Sequence, residues 1–307
     1  MPVWLPPAPT APCRKPQTDA IPKATGVPHD FPGKPQIVYG PALRNEGEIT
    51  RLFVDRVDLN ADVGESAGHD PELMPHITSA NVACGFHAGD PGVMRATVAL
   101  AREHGVAVGA HPGFPDLEGF GRRELQVSPR DVEDFVVYQV GALAGMAAAQ
   151  GVRLQHVKPH GALFNMAVRD AALADAIARA TAVIDRTMIL FGLPGSELIA
   201  AGQRAGLRTA CEVFADRAYE PDGTLVSRQR PGAVIDDPGA VLTRVVRMVR
   251  DKAVDAVDGS RVALEVDTIC VHGDTPGAAQ LAARIRKTLV QAGIEVVAVG
   301  ADLQAGP

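Results

Sequence analysis

Residues 57–65 read VDLNADVGE. Apolar and polar positions alternate without a break: Val57, Leu59, Ala61 and Val63 against Asp58, Asn60 and Asp62. A period of two marks a β-strand, whose successive side chains point to opposite faces. One face is aliphatic and the other carries two carboxylates and an amide. The run stops at Gly64, and another acid, Glu65, follows. In a closed sheet the polar face would be the interior, where an unpaired carboxylate is costly. Such a row calls for a compensating cation: Lys158, Arg217, a protonated histidine or a metal.

The same design recurs downstream. Apolar runs suited to strands cover 81–84, 106–110, 154–157, 187–193, 209–214, 268–271 and 295–299. Helical periodicity fills the gaps at 91–103, 129–150, 170–184, 196–205, 238–252 and 276–292, with Pro91 and Ser128 as start signals and Gly151 as a stop. Strands alternating with helices predict a parallel sheet, either doubly wound or closed into a barrel. About seven βα units fit an α/β, (β/α) barrel-like closure over 54–307.

The first 41 residues differ. They hold 11 of the 24 prolines and show neither helical nor strand periodicity. Proline fixes φ and removes a donor, so residues 1–53 are expected to form a disordered extension.

Composition narrows the function. Residues 57–307 carry 23 basic and 31 acidic side chains, and aromatics make up only 4% of the 307-residue chain. An acidic body without stacking platforms argues against nucleic acid as a partner. No run of 18 apolar residues predicts a membrane span. None of the four cysteines sits in Cys-x-x-Cys, which suits a reducing cytoplasm.

The chemistry gathers where the strands stop. The second strand runs into Gly85-Phe86-His87-Ala88-Gly89-Asp90, and the third into His111-Pro112-Gly113. The fourth runs into Lys158-Pro159-His160-Gly161 with Asn165 beyond, the sixth carries Glu212 and leads to Arg217, and the seventh leads to His272-Gly273-Asp274. In α/β folds, ligands bind at the carboxyl ends of strands. His87, His111, His160 and His272 each follow a predicted strand and lie within two residues of glycine or proline, whereas His29, His69, His76 and His104 follow no predicted strand. His156, earlier in its strand, reads as a packing residue. Histidines and an aspartate on one rim make a candidate divalent-metal set, Asp62, His87 and His111. There is no Gly-x-Ser-x-Gly nucleophile elbow and no phosphate loop of the Gly-x-x-x-x-Gly-Lys-[Ser/Thr] type.

The stretches DLNADVGE (58–65), SANVACGFHAGD (79–90), VGAHPGFPD (108–116), HVKPHGALFN (156–165), GSELI (195–199), EVFADRAYEPDGTLVSR (212–228) and VHGD (271–274) together resemble the 5-oxoprolinase A-subunit family, also called LamB/YcsF or lactam-utilisation proteins. The resemblance implies a barrel akin to carbohydrate deacetylases. It implies ATP-dependent opening of 5-oxo-L-proline (pyroglutamate) to L-glutamate, in a complex with two partner subunits, B and C. The proline-rich extension and the length of the segment 252–267 depart from the family pattern, away from its motifs. On this basis Asp62, Glu65, His111, Lys158 and His160 are expected to be catalytic. Asp62, Glu65 or His111 would act as general base, and Lys158, His160 and Arg217 would steady phosphate and substrate carboxylate. Asn60, His87, Asp90, Asn165, Glu212, Arg217 and His272 are expected to bind substrate. The missing phosphate loop implies either an unusual nucleotide rim or a partner that grips ATP. Two other readings stand beside this one: a metal-dependent amidase or deacetylase acting alone, and a non-catalytic subunit that presents substrate.

Overall fold

The computed structural model describes residues 55–65, 68–271 and 277–301. The expected extension over 1–53, and His272, lie outside the described residues. Those described fall in one unit, Leu52–Pro307.

Seven parallel strands close into a barrel: β1 (Arg56–Val63), β2 (Ser79–Ala83), β3 (Ala107–His111), β4 (His156–Val157), β5 (Ile189–Gly192), β6 (Arg208–Phe214) and, after the antiparallel hairpin β7 (Ala253–Asp255) and β8 (Arg261–Ala263), β9 (Thr268–Val271). The ring shuts where β9 pairs with β1, Asp58 opposite Thr268 and Ala61 opposite Val271. A further parallel strand, β10 (Glu295–Val296), pairs only with the start of β1. Of the two topologies the sequence left open, the closed one is found. Its chemical driving force is visible in β1: a strand polar on one face and aliphatic on the other needs an enclosed polar interior and a helical jacket.

The helices supply the jacket: α1 (Asp70–Leu73), α2 (Pro91–Glu103), α3 (Pro129–Ala148), α4 (Gly161–Ala167), α5 (Ala171–Ile184), α6 (Glu197–Arg204), α7 (Pro238–Asp251) and α8 (Ala278–Gln291). Their starts are locally encoded. Ser128 Oγ accepts from the Asp131 amide while the Asp131 carboxylate accepts from the Ser128 amide, a capping box ahead of Pro129. Asp170 and Asp237 cap α5 and α7 through their side-chain carboxylates. Beneath this layer Val57, Leu59, Ala61 and Val63 are at most 1% exposed. Each large aliphatic side chain so buried is worth about 1.5–3 kcal/mol. No helix among the described residues is long and apolar enough to cross a membrane.

The interior is unusual. A barrel of this kind is ordinarily filled by bulky aliphatic residues. Here Asp58, Asn60, Ser79, Asn81, His156, Glu212 and Thr268 are buried inside it. Strand register explains how they are satisfied. Asp62, Asn81, Gly109 and His156 stand opposite one another across β1 to β4. Gly109 contributes no side chain, and the His156 ring lies over it; a Cβ there would come within 2.1 Å of the imidazole. That gap lets His156 Nε2 donate to Asn81 Oδ1 at 2.8 Å. Asn81 Nδ2 in turn donates to Asn60 Oδ1 at 2.7 Å and Asp62 Oδ1 at 2.9 Å. His156 is thus the packing residue expected, stacked on Phe191 with ring centroids 4.3 Å apart. Burial pushes its pKa down to about 3.

Asp58 lies deepest and is satisfied by hydroxyl groups. It accepts from Thr78 Oγ1 at 2.6 Å, Ser79 Oγ at 2.8 Å and Thr268 Oγ1. Burial outweighs these hydroxyls and pushes its pKa up to about 6. A raised carboxyl favours the fold when protonated, so its contribution is complete below its ordinary value near 3.8 and is lost as pH rises through about 6. Asp58→Asn, neutral throughout, should therefore gain roughly 3 kcal/mol on the unaltered chain between pH 4 and 7. Urea unfolding at pH 4, 5.5 and 7 measures this; parallel pH curves for the two proteins would contradict it.

Candidate active site

The carboxyl ends of β1 to β4 and β6 bring Asp62, Glu65, His87, His111, Lys158, His160 and Glu212 together, all buried. They form two linked clusters.

The first is a lysine between two acids. Lys158 Nζ donates to Asp62 Oδ1 at 2.7 Å and lies 3.1 Å from Glu212 Oε1. It also donates to Cys270 Sγ at 3.1 Å and faces the Phe214 ring at 5.5 Å. Burial alone would drive the ammonium to lose its proton, but Asp62, the Cys270 sulfur and Glu212 hold its pKa well above the usual lysine value. Burial raises Glu212, with Lys158 opposing. The compensating cation predicted for Asp62 is Lys158, and Asp62 does not join the metal-ligand cluster described next.

The second cluster is three imidazoles around one carboxylate. Glu65 Oε1 lies 3.1 Å from His87 Nε2, 3.3 Å from His160 Nδ1 and 3.8 Å from His111 Nε2. One ligand atom from each of the four lies within 4.8 Å of the others, a set able to hold a metal ion. The expected trio Asp62, His87 and His111 is thus replaced by Glu65, His87, His111 and His160. The reason is that Asp62 is spent on Lys158 and Asn81, although its Oδ2 still reaches within 3.4 Å of His111 Nε2.

Partner chemistry assigns the protons. His111 Nδ1 lies 2.7 Å from the Lys158 carbonyl, and His160 Nε2 lies 2.8 Å from the Phe120 carbonyl. A carbonyl only accepts, so each of those nitrogens carries its proton. That turns His111 Nε2 and His160 Nδ1 toward each other at 2.9 Å. Two bare lone pairs at that distance repel, so the gap calls for one positive charge, a proton or a cation. Burial pushes His111 below the ordinary histidine value and His87 down to about 4. Burial would raise Glu65, but its close contacts with His160 and His87 outweigh it and hold the carboxyl at about 2. His87 Nδ1 has no hydrogen-bond partner among the described residues. Its hydrogen bonding runs through Nε2.

A backbone clip fixes this geometry. Phe120 and Gly121 both have positive φ, 54° and 62°. For a bulky residue such as Phe120 that conformation is strained and needs support. The support is contact: the Phe120 ring stands edge-on to His87 and His160, which themselves stack 3.8 Å apart and 3° from parallel. A Cβ on Gly121 would meet His160 Cδ2 at 2.8 Å and His87 Cβ at 2.9 Å, so only glycine lets the loop lie over the stacked rings.

A cleft of about 920 Å³ opens above these groups. Asp62, His111, Lys158 and His160 line its floor; Asn165, Phe214 and Arg217 line its wall. Asn165 and Arg217, expected to bind substrate, both line this cleft. Three other expectations fail or fall away. Asn60 is consumed inside the barrel, donating to Thr268 Oγ1 at 2.7 Å and accepting from Asn81. Asp90 is exposed and caps α2, accepting from the amides of Gly92 at 2.7 Å and Val93 at 2.9 Å. Glu212 is buried beneath Lys158 and positions it instead of facing the cleft. Asn81 and Phe120 were missed. Asn81 had a readable signal, since it opens the strand segment ahead of His87 in a polar register; Phe120 had none, because its role is a carbonyl.

The LamB/YcsF family pattern matches residues 57–304. The 5-oxoprolinase A subunit of Tolumonas auensis is 57% identical over 249 residues, covering 80% of this chain and 99% of the relative. That of Bacillus subtilis is 55% identical over 249 residues, covering 80% and 97%. The crystal structure of the lactam utilization protein from Thermus thermophilus superposes with a TM-score of 0.75 at 50% identity, covering 79% of this chain and 99% of that one. The barrel and the sequence agree: this chain belongs to the LamB/YcsF family.

Proposed function

We propose that this chain is the A subunit of an ATP-dependent 5-oxoprolinase, acting with B and C subunits to open 5-oxo-L-proline to L-glutamate, with ADP and phosphate as the other products. The observation that carries this reading is the meeting of the Asp62–Lys158–Glu212 array and the Glu65–imidazole cluster at the floor of one cleft. The names of its relatives support the assignment to a multi-subunit enzyme.

A five-membered lactam is a stabilised amide. Transfer of the γ-phosphoryl group of ATP to its oxygen makes the ring carbon electrophilic. Water then adds to that carbon, the ring nitrogen takes up a proton and leaves, and the phosphoryl group is finally released by hydrolysis. Asp62, on the floor of the cleft with Oδ2 toward His111, would take the proton of the attacking water, while His111 Nε2 faces the positive charge it shares with His160. Lys158 stabilises negative charge as it develops on the carbonyl side. Arg217 and Asn165 hold the substrate from the wall. The donor set Glu65, His87, His111 and His160 also fits a divalent cation, since the two nitrogens 2.9 Å apart need a positive charge between them. Such an ion, when bound, would polarise a carbonyl or a water molecule.

The same cluster favours a second reading, an amide hydrolase that works alone and without nucleotide. One experiment separates the two. The purified chain, alone and mixed with candidate B and C subunits, is assayed for glutamate release with and without ATP. Release is expected only from the full mixture with ATP. ATP-independent release by the isolated chain would favour the second reading, and robust ATP-dependent turnover by it alone would remove the partners.

A further inference from the structure

We propose that Arg217 and Arg228 form a subsite for a phosphoryl group in the wall of the cleft. The proposal rests on the reading of this cleft as the ring-opening site, and it deepens that reading by giving the chemical class of what enters.

Both arginines lie on the long segment 215–237 between β6 and α7. Arg217 holds the two arms of an excursion together: its Nε donates to the Ala233 carbonyl at 3.3 Å and its Nη2 to the Val226 carbonyl at 2.6 Å. Its backbone bridges to Val234. The guanidinium is thereby fixed, with the residue only 4% exposed. Neutral carbonyls take these two nitrogens, and no carboxylate among the described residues pairs with it, so Nη1 is left for the cleft. Arg228 sits on the excursion that Arg217 ties down, is exposed, and lines the same cleft without an ion pair to any described residue.

Other arginines of the cleft are already answered. Arg123 pairs with Asp116, Arg169 with Asp222 and Arg230 with Glu220. Against that background Arg217 and Arg228 stand out as two guanidinium groups lining one cleft with no carboxylate partner among the described residues. Burial, and then the repulsion of Arg228, depress the Arg217 guanidinium to about 10, with Asp216 only partly opposing. A fold that holds one guanidinium rigid in a cleft lined by a second is organised for an oxyanion. A single carboxylate is satisfied by one planar fork; two forks suit the three oxygens of a phosphoryl group. The cleft, at about 920 Å³, is large enough for either of two sources, the terminal phosphate of a nucleotide or a phosphorylated form of the small substrate.

The test is calorimetric titration of the full chain with inorganic phosphate and, separately, with ATP. Arg228→Gln is the decisive variant, because Arg228 makes none of the hydrogen bonds that hold the loop. It should weaken phosphate binding about tenfold or more while leaving the thermal midpoint unchanged. Arg169→Gln, on the same cleft but already paired, should leave phosphate binding within about twofold of the unaltered chain. ATP binding at least tenfold tighter than phosphate would identify the nucleotide as the source; equal affinities would identify the phosphorylated small substrate. No phosphate binding by the unaltered chain, or equal weakening by the two variants, overturns the subsite. The measurement needs no turnover. A chain that binds phosphate through Arg228 yet releases no glutamate with its partners would sink the proposed reaction and leave the subsite standing.

Discussion

Replacing Lys158 with methionine is expected to cut glutamate formation by the assembled enzyme about 100-fold or more and to cost the fold about 3–5 kcal/mol. The stability loss follows from what the ammonium neutralises. Asp62 and Glu212 lie 2.7 and 3.1 Å from Nζ, both are buried, and Lys158 is the ammonium they share. Without Lys158 two carboxylates share a dry interior, and one must take up a proton to stay there. Burial already raises Glu212 against the pull of Lys158. In the variant it rises further, and a raised carboxyl loses its contribution as pH climbs, so the deficit should be larger at pH 8 than at pH 5. Urea midpoints at the two pH values measure this. The double variant Lys158→Met, Glu212→Gln separates charge balance from chemistry. Removing the second acid should restore a good part of the stability, because the two sites are in contact and their effects do not add. It should restore no activity, since the missing ammonium is also the group proposed to stabilise charge on the reacting carbonyl. Recovery of turnover in the double variant would reduce Lys158 to a counter-ion.

What could be read in the sequence was periodic, and what could not was made by loops and backbone. The alternation over 57–63 gave the polar interior, and the glycine and proline that follow each strand marked the rim. Capping signals placed α2 and α3 at Pro91 and Pro129, where the structure has them. The segment 252–267 looked only like a long loop. It holds the hairpin of β7 and β8, whose Asp258-Gly259-Ser260 turn is closed by the Asp258 carboxylate accepting from the Ser260 amide at 2.9 Å. An Asp-Gly pair between two alternating runs was a legible hairpin signal. Helix α4 was not legible, because its first residue, Gly161, has φ 54° and its cap, His160, makes no capping hydrogen bond. Within the site, residue types were legible but pairings were not. Asp90 has the composition of a rim acid and the position of a helix cap, and only the following Pro91 hinted that the cap would win. Asp62 and Glu65 are three residues apart and chemically alike. Which of them meets Lys158 and which meets the imidazoles depends on Gly64, whose φ of 70° turns the chain between them.

That division of labour between the two acids sets the second large effect. Glu65→Gln is expected to lower glutamate formation about 100-fold or more with the fold retained. The change keeps the shape of the side chain and removes its charge. Glu65 is the carboxylate on which His87, His111 and His160 converge, and its close contacts with His160 and His87 hold it ionised against its burial. It is the negative charge that balances whatever positive charge sits between His111 Nε2 and His160 Nδ1. A glutamine there would turn an N–H toward one of the imidazoles and disturb the proton assignments that the Lys158 and Phe120 carbonyls impose on the pair. A readout other than turnover tells what the charge is. The unaltered chain, equilibrated with zinc and desalted, should retain about one ion per molecule if the cluster is a cation seat, and Glu65→Gln should lose it. If the unaltered chain retains none while the variant is still inactive, the positive charge is a proton shared by the two imidazoles and Glu65 is its counter-ion. Full turnover by Glu65→Gln would make the cluster a structural knot in the barrel mouth, and the chemistry would then have to rest on Asp62 and Lys158 alone.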